Sequence, residues 1–386
     1  MQIDKLNIAR VSTVPFFVLT QLKAQIEALS SSGMRVTVIT SRDEMSDKLA
    51  SNKNFTYVPV NIERAISPSK DFFSLIALYR VFKKLKFDIV HSTTPKAGLL
   101  SAIAGYFAKT PVRLHTFTGQ PWVTTTGIKR SVLIFCDKII ARLNTHCYAD
   151  SSSQRDFLIS SGIISADKIS VIGAGSLAGI DLKRFDPCRY GVDELRVLRD
   201  DLNIPEAGKI LLFVGRITPD KGIGELLSAF SDIVKDNRNV FLVLVGPFES
   251  VGENVVNQID EALVRDNIRT VGFSSEPEKY MALADLLCLP SYREGFGTVV
   301  IEAAAMGTPA IGSDIYGLSD AIVNGKTGIL VPVRDSESLK EGILCALNDL
   351  NLLSTMGVAA QDRAIRDFGS KTSSELLMKE YKRFFN

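Results

Sequence analysis

The strongest constraint on how this chain can fold is an alternation of short apolar segments with helical segments along its 386 residues. Each apolar segment has the length of a buried strand. Because the segments between them are long enough for crossover helices, the pattern predicts parallel sheets covered by helices on both faces. The predicted strands are 7–11, 36–40, 87–91, 112–116, 146–149, 169–172, 211–215, 241–246, 268–272, 285–290, 309–313 and 328–332.

The alternation stops between residues 173 and 208 and then resumes. Two such runs predict the α/β class, with two Rossmann-like domains that face each other across a cleft. The expected domains are 1–185 and 186–369, and a C-terminal helix over 370–386 is expected to pack back on the first domain. In open α/β sheets the ligand lies outside the carboxyl ends of the strands, so we expect the functional residues there.

Charge is divided unevenly along the chain. Residues 1–185 contain 24 Lys and Arg against 13 Asp and Glu, whereas the whole chain has a formal net charge of +2. A basic half fits an anionic membrane or a nucleic acid. Two segments in it, Asp71–Phe87 and Gly127–Asn144, mix bulky apolar residues with lysine and arginine, as membrane-surface helices do. The alternative for each is a helix whose apolar face packs on its own domain.

Targeting signals and metal motifs are not found in the sequence. No apolar run is long enough to cross a bilayer, and the start, MQIDKLNIARVSTV, lacks the pattern of a secretion signal. The five cysteines are scattered without a Cys-x-x-Cys pair, which is typical of a reducing compartment and does not fit a structural zinc site. The sequence therefore predicts a cytoplasmic protein that holds no metal.

A glycine-rich turn stands between an apolar strand and a helix in the segment REGFGTVVIEAAAMGTPAIGSD. Gly295 and Gly297 allow the backbone to approach a ligand closely. Thr298 is the predicted cap of a helix over residues 299–306. The N-terminus of a helix attracts anions through its free N–H groups and its dipole, so this turn is a candidate phosphate site.

Two glutamates bracket that turn. Glu302, about one turn into the helix, would repel a phosphate but could accept hydrogen bonds from hydroxyls just beyond it. Glu294, on the loop, could do the same on the other side. Hydroxyls on both sides of a phosphate describe a nucleotide-sugar, whereas the alternative is a pair of solvated surface carboxylates.

A second phosphate signal stands in LLFVGRITPDKGIGELLSAF. Arg216 and Lys221 follow a predicted strand and precede a helix, where two fixed cations can neutralise a diphosphate and the charge that grows on it as it leaves. The alternative is two surface charges in a loop. The joint occurrence of Gly-Arg-x4-Lys-Gly and Glu-x7-Glu, each after its own strand, favours the phosphate site.

Together these motifs resemble those of the family 4 glycosyltransferases, which have the two-domain GT-B architecture. The resemblance covers nearly the whole chain: ALSSSGMRVTVITS, FDIVHSTTPKAGLL, VRLHTFTGQPW and NGKTGILVPVRD are also similar to segments of that family. It implies that Arg216 and Lys221 bind the donor diphosphate, that Glu302 binds the ribose and that Glu294 binds the donor sugar. The implied donor-binding set is Arg216, Lys221, Phe273, Glu294, Gly295, Phe296, Gly297, Thr298 and Glu302.

The chain departs from the family in the other half. Many members carry Thr-x-His-Gly near the donor sugar, where this chain has Thr118 in place of the histidine, and His115 is the other candidate for that role. The expected catalytic residues are therefore Glu294, Arg216 and Lys221 with Thr118 or His115. The expected acceptor-side residues are Thr13, Pro15, His91, Lys96 and Gly119. For His91 the alternative is a packed or capping role, and His146 is expected to be structural.

The variants STVPFF, HSTTPKAGLL and HTFTGQPW resemble a bacterial subgroup that extends polyprenyl-diphosphate-linked sugars. This resemblance implies a retaining transfer from a nucleoside-diphosphate sugar, with UDP expected, to a lipid-linked saccharide at the inner face of the cytoplasmic membrane. No Asp-x-Asp triplet occurs, so we expect no metal and no other cofactor, and no nucleic-acid partner. The alternatives are a sugar-nucleotide epimerase of the same fold and a non-catalytic two-domain sugar-binding protein.

Overall fold

The computed structural model describes residues 6–249 and 262–385, and the chain forms two compact units. Unit 1 comprises Met1–Gly179 and Ser370–Asn386, and unit 2 comprises Ile180–Gly369. The chain therefore leaves the first unit at Gly179, earlier than the predicted residue 185. The C-terminal segment belongs to unit 1, where its helix packs on a helix formed by Lys23–Ser31.

Unit 1 is built on a seven-stranded parallel sheet with the strand order β3-β2-β1-β4-β5-β6-β7. Its strands are β1 (Asn7–Val11), β2 (Arg35–Thr40), β3 (Thr56–Pro59), β4 (Ile89–Thr93), β5 (Val112–Phe117), β6 (His146–Ala149) and β7 (Ile169–Val171). Its first helices are α1 (Pro15–Phe17), α2 (Lys23–Ser31), α3 (Ser46–Ala50), α4 (Pro68–Leu85), α5 (Pro95–Ala108), α6 (Gly127–Leu143) and α7 (Ser152–Ser160).

Alternation along β1 shows how the sheet is covered on both sides. Ala9 and Val11 pack with residues of α4 and α5, whereas Ile8 packs with α2 and the C-terminal helix. Successive side chains of a strand point to opposite faces, so this strand is buried on both. Helices α4, α5 and α6 lie side by side.

Unit 2 is built on a six-stranded parallel sheet with the strand order β10-β9-β8-β11-β12-β13. Its strands are β8 (Lys209–Val214), β9 (Val240–Val245), β10 (Ile268–Gly272), β11 (Leu286–Leu289), β12 (Ala310–Ser313) and β13 (Gly328–Val331). The remaining helices are α8 (Val192–Asp201), α9 (Ile223–Asp236), α10 (Ala262–Asp266), α11 (Pro277–Leu283), α12 (Thr298–Ala305), α13 (Leu318–Ala321), α14 (Ser336–Asn348), α15 (Leu350–Asp367) and, in unit 1, α16 (Ser370–Arg383).

The strand order reverses direction once in each sheet. In unit 1 the reversal lies between β1 and β4, and in unit 2 it lies between β8 and β11. The loops that leave the carboxyl ends of two such strands run to opposite sides and leave a crevice between them. The fold therefore places one crevice in each unit, beside the loops that the sequence motifs occupy.

Two local features differ from the sequence prediction. Strand β3 was not predicted, because it is an edge strand of four residues with mixed exposure and a proline at its end. The apolar spacing of Leu22, Ile26 and Leu29 predicts one continuous helix over 19–31, whereas in the structure a π-helical turn over Val18–Leu22 separates α1 from α2.

Membrane-spanning segments were sought among the described residues only. No single helix there combines the length and the hydropathy that a bilayer span requires. Helices α14 and α15 meet the criteria only when taken together, with a 97° bend between them.

Candidate active site

Two loops meet at the β8–β11 crevice of unit 2. One runs from Gly215 after β8 and the other from Pro290 after β11. Gly222 has φ of +70°, and a Cβ atom there would overlap the carbonyl of Pro290. A glycine is required at this position because the two backbones touch.

The paired loops place a cation and a carboxylate together. The Lys221 ammonium contacts the Glu294 carboxylate, and the two side chains are only 19% and 14% exposed. The preceding residues also pair, with 3.0 Å between the Arg293 guanidinium and the Asp220 carboxylate. Two predicted donor-binding residues, Lys221 and Glu294, are thus brought together, with Arg293 beside them.

Arg216 lies at the start of the first loop and bonds to the carboxylate of Glu249, which follows β9. Both side chains are about half exposed. The positive charges of Arg293, Arg216 and Lys221 all lower the pKa of Asp220, and Arg293 is the one of the three in contact with it. Each of these cations is paired with a carboxylate, and a diphosphate that replaces such a partner would gain a charge-assisted contact at this strand end.

The glycine-rich turn forms as expected, but its cap differs from the prediction. Helix α12 begins at Thr298, and its N-cap is Gly297 in the left-handed conformation, with no side-chain cap hydrogen bond. A Cβ atom at Gly297 would lie 2.5 Å from Cδ2 of Leu318. The prediction that Thr298 caps the helix is therefore wrong, because the backbone adopts a shape that only glycine takes easily.

Phe296, between the two glycines, does not face a ligand. Its side chain is 2% exposed and packs edge-on against Phe368, with 5.2 Å between the ring centroids. Its expected donor contact is therefore corrected to an anchoring role: the ring fixes the turn, and only the backbone of Gly295–Gly297 can approach a ligand.

Glu302 lies in α12, partly buried, and within the described residues no hydrogen bond ties down its carboxylate. Burial raises the pKa of Glu302 to about 7, while the positive charge of Arg184 lowers it and the carboxylate of Glu278 raises it. Arg184 itself is held by Glu278 through two hydrogen bonds of 2.9 and 2.7 Å. Glu302 is thus a carboxylate that is available to accept hydrogen bonds and that titrates near neutral pH.

Phe273 follows β10 and is 61% exposed. Strand β10 pairs with β9, after which Pro247 stands, also exposed. The structure therefore places both residues at the carboxyl edge of one pair of neighbouring strands, on the side of β8 away from the glycine-rich turn.

In unit 1 two threonines, one from each loop, meet at the β1–β4 crevice. The hydroxyls of Thr13 and Thr94 are 2.7 Å apart, and Pro15 begins the helical segment that follows. Thr94 has φ of +71° and ψ of +140°, a conformation that costs a β-branched residue about 1–3 kcal/mol. Sequence reasoning missed Thr94, although a threonine between a strand and Pro95 was the available signal.

Thr118 and Gly119 follow β5, and His115 lies within it. Thr118 is half-buried and Gly119 has φ of +114°. The His115 ring is 1% exposed, bonds to the hydroxyl of Ser92 at 3.0 Å and lies directly under Gly98 of α5. Burial lowers the pKa of His115 to about 3. The suggestion that His115 replaces the family histidine is therefore wrong, and Thr118 remains as the candidate.

Two expected acceptor-side residues are engaged elsewhere. The Lys96 ammonium bonds to Asp71 of α4 at 2.7 Å, so it ties α5 to α4. The His91 ring is 1% exposed and bonds to Tyr381 at 2.6 Å and to Thr116 at 2.8 Å. Both assignments are corrected to structural roles. His146 is 8% exposed and bonds to Ser170 at 2.9 Å.

The buried polar network around His91 was not foreseen. Arg10 is 1% exposed and donates to the hydroxyl of Tyr381 at 2.7 Å and to Gln25 at 3.3 Å. Burial, together with the positive charge of Arg10, lowers the pKa of His91. The network attaches the C-terminal helix α16 to strands β1 and β4.

In the stretches of chain that the structure describes, no group of three or more His, Cys, Asp or Glu side chains could hold a metal ion.

In comparison with known proteins, each half of the chain matches a glycosyltransferase family. Residues 19–176 match the family described as Glycosyltransferase Family 4, and residues 196–363 match Glycosyl transferases group 1. The capsular polysaccharide biosynthesis glycosyltransferase CapM of Staphylococcus aureus is 33% identical over 367 residues, which cover 94% of this chain and 93% of that protein.

Two further relatives have names that state a reaction. An Escherichia coli UDP-Gal:alpha-D-GlcNAc-diphosphoundecaprenol alpha-1,3-galactosyltransferase is 27% identical, with 91% of each chain covered. A Campylobacter jejuni N,N'-diacetylbacillosaminyl-diphospho-undecaprenol alpha-1,3-N-acetylgalactosaminyltransferase is 28% identical, covering 87% of this chain and 88% of that one.

Solved structures share the fold across the whole chain. A sucrose-phosphate synthase from Thermosynechococcus elongatus superposes with a TM-score of 0.83 at 23% identity, covering 99% of both chains. HepE of Anabaena in complex with UDP and glucose gives 0.81 at 18% identity, covering 98% of this chain and 100% of that one. With both halves matched and CapM similar over nearly its full length, the chain belongs to the family 4 glycosyltransferases of GT-B fold and is a hexosyltransferase.

Proposed function

We propose that this enzyme transfers a sugar from a UDP-sugar, with retention of anomeric configuration, to a saccharide linked to a polyprenyl diphosphate. The observation that carries the donor assignment is the pair of cations Arg216 and Lys221 on the loop after β8, at the β8–β11 crevice. A diphosphate has the charge that such a pair complements.

The proposed donor lies along these loops in a fixed direction. Its diphosphate binds Arg216 and Lys221 next to the backbone of the glycine-rich turn. Its ribose donates hydrogen bonds to the free carboxylate of Glu302, and its sugar meets Glu294. Because the free N–H groups of α12 begin at Thr298, the helix dipole adds to the positive field at the phosphates.

In the reaction the bond between the anomeric carbon and the diphosphate oxygen breaks, and the electron pair leaves with the diphosphate. The acceptor oxygen bonds to the anomeric carbon on the same face, and its proton passes to the departing diphosphate. Fixed cations stabilise the charge that develops on the leaving group, which is the role we propose for Arg216 and Lys221 without a metal ion. Retention rests on membership of the family.

The acceptor assignment is supported by the relatives. Two of them carry names that describe α-1,3 transfer onto sugars bound to diphosphoundecaprenol. We place the acceptor at the β1–β4 crevice of unit 1, near Thr13, Thr94, Thr118 and Gly119. Helix α5 also begins there, directly after its N-cap residue Thr94.

Exposed apolar side chains on α4 and α6 support binding of this protein to a membrane surface. Phe72 and Phe73 near the start of α4 are 59% and 70% exposed, and Ile128 and Phe135 in α6 are 85% and 63% exposed. Both helices begin at the carboxyl edge of the sheet, which is also the edge where the proposed acceptor residues lie. Exposed lysines of the same helices would meet anionic headgroups. We propose that this surface rests on the inner face of the cytoplasmic membrane.

The experiment combines the purified enzyme with UDP-sugars and an undecaprenyl-diphosphate-linked N-acetylhexosamine. We expect a product extended by one sugar and release of UDP, both only when the acceptor is present. Conversion of the UDP-sugar to an isomer without acceptor would indicate an epimerase instead. Binding of sugars without any turnover, across the UDP- and GDP-sugar panel, would indicate a binding protein.

A further inference from the structure

The two loops of the proposed donor site are joined by consecutive ion pairs of opposite polarity. Asp220 and Lys221 on the first loop meet Arg293 and Glu294 on the second: acid with base, then base with acid. The backbone N–H of Tyr292 also donates to the carbonyl of Asp220 at 3.0 Å. Three contacts thus cross between the loops within two residues of one another.

Asp220 is held more firmly than an ordinary surface carboxylate. Its Oδ1 accepts a hydrogen bond from the Thr218 hydroxyl at 2.6 Å, and its Oδ2 lies 3.0 Å from Arg293. Burial acts to raise the pKa of Asp220, but the Thr218 hydroxyl and the positive charges of Arg293, Arg216 and Lys221 lower it. Asp220 therefore stays ionised among cations, and both members of the Asp220–Arg293 pair are only about one quarter exposed.

We propose that the Asp220–Arg293 ion pair is a positioning clasp that holds Lys221 in place for the donor diphosphate. This inference rests on the proposed function. When a diphosphate takes up the Lys221 ammonium, the Lys221–Glu294 contact must be shared or exchanged. The neighbouring Asp220–Arg293 pair engages no ligand in this arrangement, so it continues to join the two loops.

The clasp also keeps a competing anion away from Lys221. Without Arg293, the carboxylate of Asp220 would be left next to Lys221 in sequence and would compete with the diphosphate for it. Without Asp220, Arg293 would be free to draw Glu294 or the phosphates away from Lys221. Either loss is expected to weaken phosphate binding specifically and to leave binding of the nucleoside unchanged.

The test compares titrations of UDP and of uridine against wild type and four variants: Asp220→Asn, Arg293→Gln, Arg293→Lys and the charge swap Asp220→Arg with Arg293→Asp. We expect each of the first two to weaken UDP binding about tenfold, a coupling typical of contacting charged residues. Uridine binding should stay within about twofold. The swap should recover most of the UDP affinity, and Arg293→Lys should retain part of it.

Arg366→Gln is the matched control, because it breaks an exposed ion pair with Asp367 on α15 and should leave both ligands unaffected. A thermal melt of each variant verifies folding, and Arg293→Lys serves where Arg293→Gln does not fold. Unchanged UDP affinity in Asp220→Asn and Arg293→Gln would overturn the clasp. A swap as weak as Arg293→Gln would also overturn it and would make Arg293 a direct phosphate ligand. Wild type that binds no UDP would overturn the proposed donor together with the clasp, before any variant is compared.

Discussion

The Lys221 ammonium contacts the Glu294 carboxylate across the two loops of the β8–β11 crevice. The two residues expected to hold the diphosphate and the sugar of the donor are therefore partners of each other. Since both side chains are largely buried, a donor must compete with this contact from within the site. Ligand binding at this crevice thus involves an exchange of ion partners.

Arg216 should also exchange its ion partner when the donor binds, and UDP affinity measures this exchange. Its guanidinium is paired with Glu249, so the substitution Glu249→Gln should free it for the diphosphate. An exposed ion pair contributes about 0.2–1 kcal/mol, and we therefore expect UDP to bind about 1.4- to fivefold more tightly in calorimetric titration. The matched control is Glu276→Gln, which removes an exposed carboxylate paired with Lys279. Weaker UDP binding in Glu249→Gln would show that Glu249 touches the nucleotide itself.

Donor binding should depend on the ionisation of Glu302. Burial raises the pKa of this carboxyl to about 7, and ribose hydroxyls donate best to the ionised form. UDP affinity should therefore rise as pH increases from 6 to 8, and Glu302→Gln should bind weakly with this dependence removed. Affinity that is flat with pH in the wild type would contradict the placement of the ribose.

The same pKa predicts the sign of an effect on stability. A carboxyl whose pKa is higher in the folded than in the unfolded state binds its proton more tightly when folded. The contribution of Glu302 to the free energy of unfolding should therefore fall as pH rises from its ordinary range toward 7. Urea melts of wild type and Glu302→Gln at pH 5 and pH 8 measure it: the variant should lose less stability between the two pH values.

Membrane binding should depend on the basic end of α4. Changing Lys83, Lys84 and Lys86 together to Glu should reduce flotation with vesicles that contain anionic phospholipid, since each lysine near such a surface contributes about 1 kcal/mol. Salt should weaken flotation of the wild type, because exposed charges are screened beyond about 8 Å at physiological ionic strength. The control carries the same charge change on unit 2, at Lys235, Arg238 and Lys326. Equal flotation of both triple variants would mean that α4 only packs on its own unit.

Activity should survive chelation. The cations of Arg216 and Lys221 are proposed to stabilise the departing diphosphate, so EDTA should leave the turnover rate within about twofold. Loss of activity in EDTA, with recovery on adding magnesium or manganese, would contradict this mechanism.

Much of the fold could be predicted from the sequence because its parallel strands are short and apolar. Strands β1, β6 and β10 have the predicted bounds: β1 and β6 are largely buried, and β10, a partly exposed edge strand, ends at Gly272. Strand β3 was not predicted because its four residues, at the edge of the sheet and none of them fully buried, do not form an apolar run. The wrong cap at Thr298 has a local cause: a glycine in the left-handed conformation can begin a helix without a side-chain cap.

The candidate site was predictable on the unit 2 side and less so in unit 1. Arg216, Lys221, Glu294 and Glu302 belong to two motifs whose spacing follows from a strand, a loop and a helix. The burial of His91 and His115 depends on tertiary contacts: Tyr381 lies 290 residues from His91 in sequence, and Gly98 covers His115 from another element. Such contacts leave no local pattern, so histidines in the right neighbourhood were assigned to a surface they do not reach.

The rate of sugar transfer to the lipid-linked acceptor in Arg216→Ala and Lys221→Ala tests most directly whether these two cations bind the donor diphosphate. Losing a cation beside a developing diphosphate should cost about 2–4 kcal/mol of transition-state stabilisation, which corresponds to about a 30- to 1,000-fold lower rate. Thermal melts should show each variant folded with little loss of stability, since both residues lie on a loop at the crevice. Rates near those of the wild type in both variants would contradict the claim that these loops bind the donor diphosphate.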